Sequence, residues 1–314
     1  MRFIFVILIF LSLGADAQMI IKAHANYVPF AAGNLLLDDY SGAAAAYSLR
    51  KLDKDYTGNA IRVRRSNDNT EQNIGFTSGG DLDTASLKTF VGANSGFVTT
   101  WYDQVGNIRN WGAANNQIQT TAANQPRIVN AGVVERDNGK PCVVFDGSND
   151  RMRVAVSTAP GNENRVITDD NFSIFGIASG NAQTNTSVLS QHSSATGRII
   201  FLNAYTGLIL FFNNGTSYNV SSTSVAFDGT QKLLYSQMNG SGSSHVRVNG
   251  GNAEGTLNNQ TLNPVNIGLQ IASAADGTAN FFNGKISEII LYQPNQSSNL
   301  NAIRDNINSY YGIY

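Results

Sequence analysis

The chain has 314 residues, a formal net charge of −1 from 21 basic and 22 acidic side chains, and only 14% charged residues. So balanced a surface excludes the electrostatic footprint of a nucleic-acid binder or of a protein drawn to an anionic membrane. The one cysteine, Cys142, excludes an intrachain disulfide, so stability has to come from a large buried core, which this length can supply.

Arg2 followed by the apolar run Phe3–Gly14 and then Ala15-Asp16-Ala17 reads as a secretory signal over residues 1–17, with cleavage expected before Gln18. The run is shorter than the roughly 20 apolar residues of a membrane span, and no later stretch reaches that length. The expected product is exported (secreted, periplasmic or at the cell surface) and does not span a membrane after cleavage. Residues 18–36 read as an extension, and residues 37–314 as one domain, since β-sandwiches run to about 250 residues as single units.

Ser41 is a candidate cap for a helix through Leu52, because Ala45, Leu49 and Leu52 recur at helical spacing. Ala60–Arg65 then alternates strictly, predicting a half-exposed strand with Ile61 and Val63 inward. Asp83 is placed to cap a short helix that turns Leu87 and Phe90 inward. Beyond it the predicted strands are 97–102, 141–146, 151–156, 172–178, 198–203, 207–212, 231–238, 244–248, 265–271 and 285–292. Gly/Asn/Asp turns such as Asp146-Gly147 and Asn249-Gly250 lie between them. A C-terminal helix follows, capped by Ser298, with Leu300, Ile303, Ile307 and Tyr310 on one face. The fold class is mostly β: a sandwich or jelly roll with short N-terminal helices and a C-terminal helix.

Candidate chemistry is sparse. His24, His192 and His245 lack zinc-ligand spacing, and no metal site is assigned. Asp146-Gly-Ser-Asn-Asp150 offers oxygens that could hold calcium, although turn chemistry explains the same letters. Cys142 reads as a small buried apolar residue. Both tryptophans fall in one stretch, where Trp101, Tyr102 and Trp111 surround Asp103, Gln104, Asn107 and Asn110. Aromatic faces stack on sugar C–H groups while amides and carboxylates take hydroxyls, so Trp101, Tyr102, Asp103, Gln104, Asn107 and Trp111 are candidate glycan contacts. A tryptophan on a sandwich strand more commonly fills the core, and that reading of Trp101 stands beside the platform reading. From Asp150 onward most acids fall in turns or on helix surfaces, but Glu288 lies within a predicted strand, on a face shared with Ile286, Ile290 and Tyr292. Such a carboxylate is either desolvated, as a general acid requires, or held by backbone amides or an arginine.

Ser41-Gly-Ala through Ile74, Leu82-Asp-Thr-Ala with Thr89-Phe90, and Phe97 through Asn107 with its Tyr102-Asp103-Gln104 step resemble, in that order, the catalytic domain of the α-L-arabinofuranosidase B family. Phe145-Asp146-Gly147, the stretch Phe281–Tyr292 and the C-terminal helix are similar to concanavalin A-like and laminin-G-like modules. The resemblance implies a concanavalin-type jelly roll, a polysaccharide or cell-surface glycan as partner, and retaining glycoside hydrolysis by two carboxylates about 5–5.5 Å apart. The counterpart of the family's nucleophile strand, Gly197–Asn203, carries no carboxylate. The nearest match to its acid/base aspartate is Asp276, displaced within its loop, and the family's adjacent cysteine pair is absent. Asp276 and Glu288 are therefore the catalytic candidates. The preferred expectation is an exported glycan-binding or adhesion protein on this scaffold. An active α-L-arabinofuranosidase and a phage virion or tail protein are the alternatives.

Overall fold

A computed structural model describes residues 34–105, 115–154, 166–183, 186–192, 198–205, 208–212, 227–239, 243–258, 268–274 and 277–314. The main compact unit runs from Leu35 to Tyr314. In chain order its strands are β1 (Ala43–Ser48), β2 (Ile61–Arg65), β3 (Glu71–Ile74), β4 (Gly96–Trp101), β5 (Gln117–Ile118), β6 (Arg127–Asn130), β7 (Val133–Val134), β8 (Arg136–Asp137), β9 (Lys140–Pro141), β10 (Val143–Asp146), β11 (Met152–Val154) and β12 (Asn171–Gly180). They continue as β13 (Thr186–His192), β14 (Arg198–Tyr205), β15 (Leu208–Phe212), β16 (Lys232–Asn239), β17 (Ser243–Val248), β18 (Glu254–Asn258), β19 (Gln270–Ile271) and β20 (Asn283–Tyr292). The helices are α1 (Leu36–Asp39), α2 (Thr84–Val91) and α3 (Leu300–Tyr311).

Among the described residues the pairings are antiparallel, and all but β8–β9 form one curled sheet. The ladder runs β18–β17–β16–β12–β20. On the other edge of β20, β10 takes the first half and β1 the second. From β10 the sheet continues through β6 to β4, then through β5, β11, β19 and β13 to β14 and β15. β2 and β3 extend it from the opposite edge of β4, while β8 and β9 form a separate hairpin. The fold is the expected mostly-β sandwich. Its interior is filled by Tyr47, Trp101, Phe145, Phe172, Phe282, Ile289 and their neighbours. A second apolar layer lies under α1 and α3, where Leu300, Ile303 and Ile307 meet Phe175, Tyr235, Ile290 and Tyr292.

Residues 43–48 form a strand where a helix through Leu52 was predicted. Ala45 and Tyr47 enter the interior while Ala46 enters the helix-covered layer, so both faces of β1 are buried and packing overrides alanine's helical preference. The helical periodicity of Ala45, Leu49 and Leu52 was coincidental. The C-terminal helix begins one residue later than expected, with Asn299 at the cap position, and buries Tyr311 in place of Tyr310. On β20 a register shift opposite Ile177/Ala178 breaks the alternation at Ser287. Ile286 therefore joins the interior, and Glu288 shares its face with Ile290 and Tyr292 alone. The Asp83 cap is as expected, accepting from the Ser86 amide at 2.9 Å with Leu87 and Phe90 buried.

Candidate functional site

The predicted sugar contacts separate. Trp101 is wholly buried, edge-on to Tyr47 at 6.5 Å between ring centres. Asp103 and Gln104 are buried too, and their polar atoms serve the backbone. The edge of β1 that does not pair with β20 is finished by side chains in place of a strand. Asp103 Oδ1 accepts from Ala46 N at 2.8 Å, and the Gln104 amide N donates to Ala46 O at 2.9 Å. Gln104 Oε1 accepts from Leu52 N at 2.8 Å, while its Nε2 donates to Ser48 O at 3.1 Å and Arg50 O at 2.9 Å. Asn115 adds a bond to Ala44 O at 3.0 Å. Buried backbone groups require partners, and the Asp-Gln step supplies them. Trp101, Asp103 and Gln104 thus present no surface to a saccharide. Tyr102 is half-buried, its hydroxyl donating to Asn73 Oδ1 at 2.8 Å. Asn107 and Trp111 lie outside the described residues, as do Asn110 and Asp276.

Glu288 is buried beneath α3. Its carboxylate accepts from Arg50 Nε at 2.8 Å and Nη2 at 3.1 Å, from Ser48 Oγ at 2.7 Å, and from the Tyr311 hydroxyl at 3.3 Å. Burial alone would pull the Arg50 guanidinium down, but the charge and hydrogen bonds of Glu288 outweigh it and hold the group above its ordinary value. Burial and the same carboxylate push the Tyr311 phenol well up. A carboxylate so neutralised and covered reaches no substrate. Burial likewise pushes the Cys142 thiol far above its usual range, leaving it inert.

An open cleft of about 510 Å³ lies on the outer face where β4, β6, β10 and β20 run side by side. Phe97, Gln125, Arg127, Asp146, Asp150 and Asn283 line it. The Asp146–Asp150 turn that closes β10 builds one wall. Asp146 Oδ1 accepts from the amides of Ser148, Asn149 and Asp150 at 2.8, 3.2 and 3.3 Å, and Asp150 Oδ2 accepts from Asp146 N at 3.1 Å. Gly147 sits at φ +76°, and a Cβ there would fall 2.5 Å from Asn283 Cβ, so the turn requires glycine. The turn's own amides thus occupy Asp146 Oδ1. Burial, reinforced by the neighbouring Asp146 charge, pushes the Asp150 carboxyl up to about 7 against the pull of the Asp146 amide and Arg127. Arg127 pairs with Glu135 at 2.8 Å. Arg64 donates to Gln125 Oε1 at 2.6 Å and stacks 5.0 Å from the Phe97 ring centre. The cleft thus combines an aromatic edge, guanidinium and amide donors, and carboxyl acceptors. In the sequence the Asp146 turn reads as a strand connection and a calcium candidate. The cleft is not legible there, because its lining residues are scattered from 97 to 283 and meet only through strand pairing.

Among the described residues the acidic group close enough to share an ion is Asp38, Asp53 and Asp55. The Lys54 ammonium already bridges Asp38 and Asp55 there, at 3.4 and 3.1 Å.

A profile of the family described as α-L-arabinofuranosidase B, catalytic, matches residues 39–146, the span from just before β1 to the end of β10. The solved structure of an arabinofuranosidase complexed with arabinofuranosyl-α-1,2-xylobiose superposes with a TM-score of 0.62 at 16% identity, covering 85% of this chain. This is an arabinofuranosidase-like scaffold. A GH54 α-L-arabinofuranosidase soaked with a cyclic sulfate inhibitor gives a TM-score of 0.60 at 15% identity over the same 85%. The chain spans 62% of the length of each of those two structures. No curated protein sequence matches. At these identities the likeness is one of fold, and the arabinofuranosidase-like scaffold by itself assigns no chemistry.

Proposed function

We propose that this chain is an exported, glycan-directed binding module that uses the arabinofuranosidase-like scaffold without its hydrolysis. The observation that carries this reading is the Arg50–Glu288 lock, which removes Glu288 from any role in proton transfer. The sequence of β14, the best counterpart of the nucleophile strand, adds to it by having no carboxylate. The cleft beside Asp146 and Asp150 is the sugar-contacting surface, with Arg127 and Asn283 donating to hydroxyls and Asp150 completing the pattern. Trp111 is proposed as a further stacking contact.

The hydrolase reading is favoured by one observation: Asp150, its carboxyl pushed up to about 7, shares the cleft with a second acid. Two assays on the full chain separate the two readings. On a glycan array the binding module retains an arabinose-containing or related glycan, and Asp150→Asn, Arg127→Ala and Trp111→Ala each weaken it. With an aryl α-L-arabinofuranoside it shows no turnover. Turnover abolished by Asp150→Asn or Asp146→Asn in folded protein would overturn the binding-only conclusion.

A further inference from the structure

Two arginines meet at the turn that follows β17. Val246 and Val248 fill the interior, so alternation along β17 sends Arg247 to the opposite face, where it stands across from Tyr235 in the layer that α3 covers. Arg304 comes to the same turn from α3. Arg247 Nη1 donates to Gly251 O at 3.3 Å, and a Cβ on Gly250 would lie 3.5 Å from Arg304 Nη2 and 3.1 Å from the Tyr314 ring.

Their donors are almost unused. A guanidinium carries five N–H groups and never loses its charge. Among the described residues Arg247 makes that single bond, and Arg304 makes one, from Nη1 to Asn301 Oδ1 at 3.5 Å. Arg50, Arg62, Arg65 and Arg127 each pair with an acid. Arg247 and Arg304 form no ion pair among the described residues, although Arg304 is only 6% exposed. Burial and the neighbouring Arg304 charge pull the Arg247 guanidinium below its ordinary value, as expected of a cation lacking a counter-charge. Solvent reaches the pair. Of their unbonded nitrogens only the two Nε atoms are sealed off, so each Nη2 is accessible. Arg247 is half-buried, Gly250 and Gly251 are exposed, and Tyr314 is 50% exposed.

Charge selects the guest. Two guanidiniums repel a metal cation. A neutral hydroxyl would leave both charges unbalanced where burial already penalises them. A carboxylate would balance one of the two. A doubly charged oxyanion balances both and can accept from the two open Nη2 groups at once. We propose that Arg247 and Arg304 form a binding site for a tetrahedral dianion, inorganic sulfate or phosphate or a phosphate monoester. The Tyr314 ring beside them offers an apolar face to whatever body carries an ester. The site shares no residue with the cleft at Asp150 and stands whether or not that cleft binds glycan.

The test uses the full chain in chloride of matched ionic strength, above the second phosphate ionisation at about pH 6. Sodium sulfate, sodium phosphate and glucose 6-phosphate are the probes, with neutral glucose as control. Binding is read by calorimetry and located by the amide NMR shifts of Gly250 and Gly251. The dianions should bind and move those two amides, and glucose should leave them in place. Arg247→Gln and Arg304→Met should each weaken binding about tenfold or more, the loss of a charge-assisted hydrogen bond. Arg127→Gln, in the cleft, should leave it intact. Tighter binding of glucose 6-phosphate than of phosphate, with the difference lost in Tyr314→Ala, would support the site and identify an ester as its ligand; equal affinities would support it with the free ion. Absence of heat and shifts with every dianion, shifts that glucose reproduces, or binding that survives both turn variants would overturn the assignment. So would binding lost in Arg127→Gln and kept in Arg247→Gln and Arg304→Met, which would put the anion in the cleft.

Discussion

Replacing Glu288 by glutamine tests whether this residue holds the fold together or performs chemistry. The carboxylate is 1% exposed and its Arg50 partner 4%, with contacts of 2.8 and 3.1 Å from the guanidinium. At that separation and an effective dielectric near 20 the attraction is about 5 kcal/mol, set against a desolvation cost of several kcal/mol for each ion. The substitution keeps volume and shape, so no cavity contributes. It leaves Arg50 charged, buried and unmatched, and breaking such a pair costs about 3–5 kcal/mol. Urea denaturation followed by tryptophan fluorescence should show the midpoint falling accordingly. Glycan binding per folded molecule should be unchanged. The double variant Arg50→Met/Glu288→Leu removes both charges and should recover most of the loss. A Glu288→Gln protein as stable as the parent but devoid of arabinofuranosidase turnover that the parent displays would refute this reasoning.

Asp150 keeps its proton up to about pH 7 in the folded chain, whereas the unfolded carboxyl ionises near 4. Between those values the folded state binds the extra proton, so stability falls as pH rises through that window, by up to about 4 kcal/mol. Asp150→Asn should abolish the slope, equalling the parent near pH 4 and exceeding it at pH 8 in denaturation midpoints. Gln104→Leu strands the Leu52 amide and the Ser48 and Arg50 carbonyls, at about 1–3 kcal/mol for each buried group left unpaired. Hydrogen exchange should then accelerate along β1 and its following loop, and protection equal to the parent's there would refute the edge-clamp role.

The strands were legible wherever one face is wet or a turn brackets an apolar run, as at Ile61/Val63 and along β12, β16 and β20. β1 escaped because burial on both faces erases alternation and alanine spells helix in isolation. β13 escaped because Ser187, Ser190 and Gln191 are polar yet buried, with Gln191 spent on the Val166 and Ile167 amides. The Tyr102-Asp103-Gln104 step was recognised as significant, but burial cannot be read from letters, and what looked like hydroxyl-binding chemistry serves the main chain. Glu288 stands out in the sequence as a carboxylate among apolar strand residues. Its partner, Arg50, lies 238 positions away and becomes a neighbour only through the β1–β20 pairing.

The turn at Asp146 and Gly147 is held from within. Its shape is dictated by its own main-chain amides and by the contact with Asn283, so that wall of the cleft is assembled before any guest arrives. Ordering on binding then falls mostly on the incoming molecule, and the cleft should discriminate among stiff, compact rings better than among floppy chains.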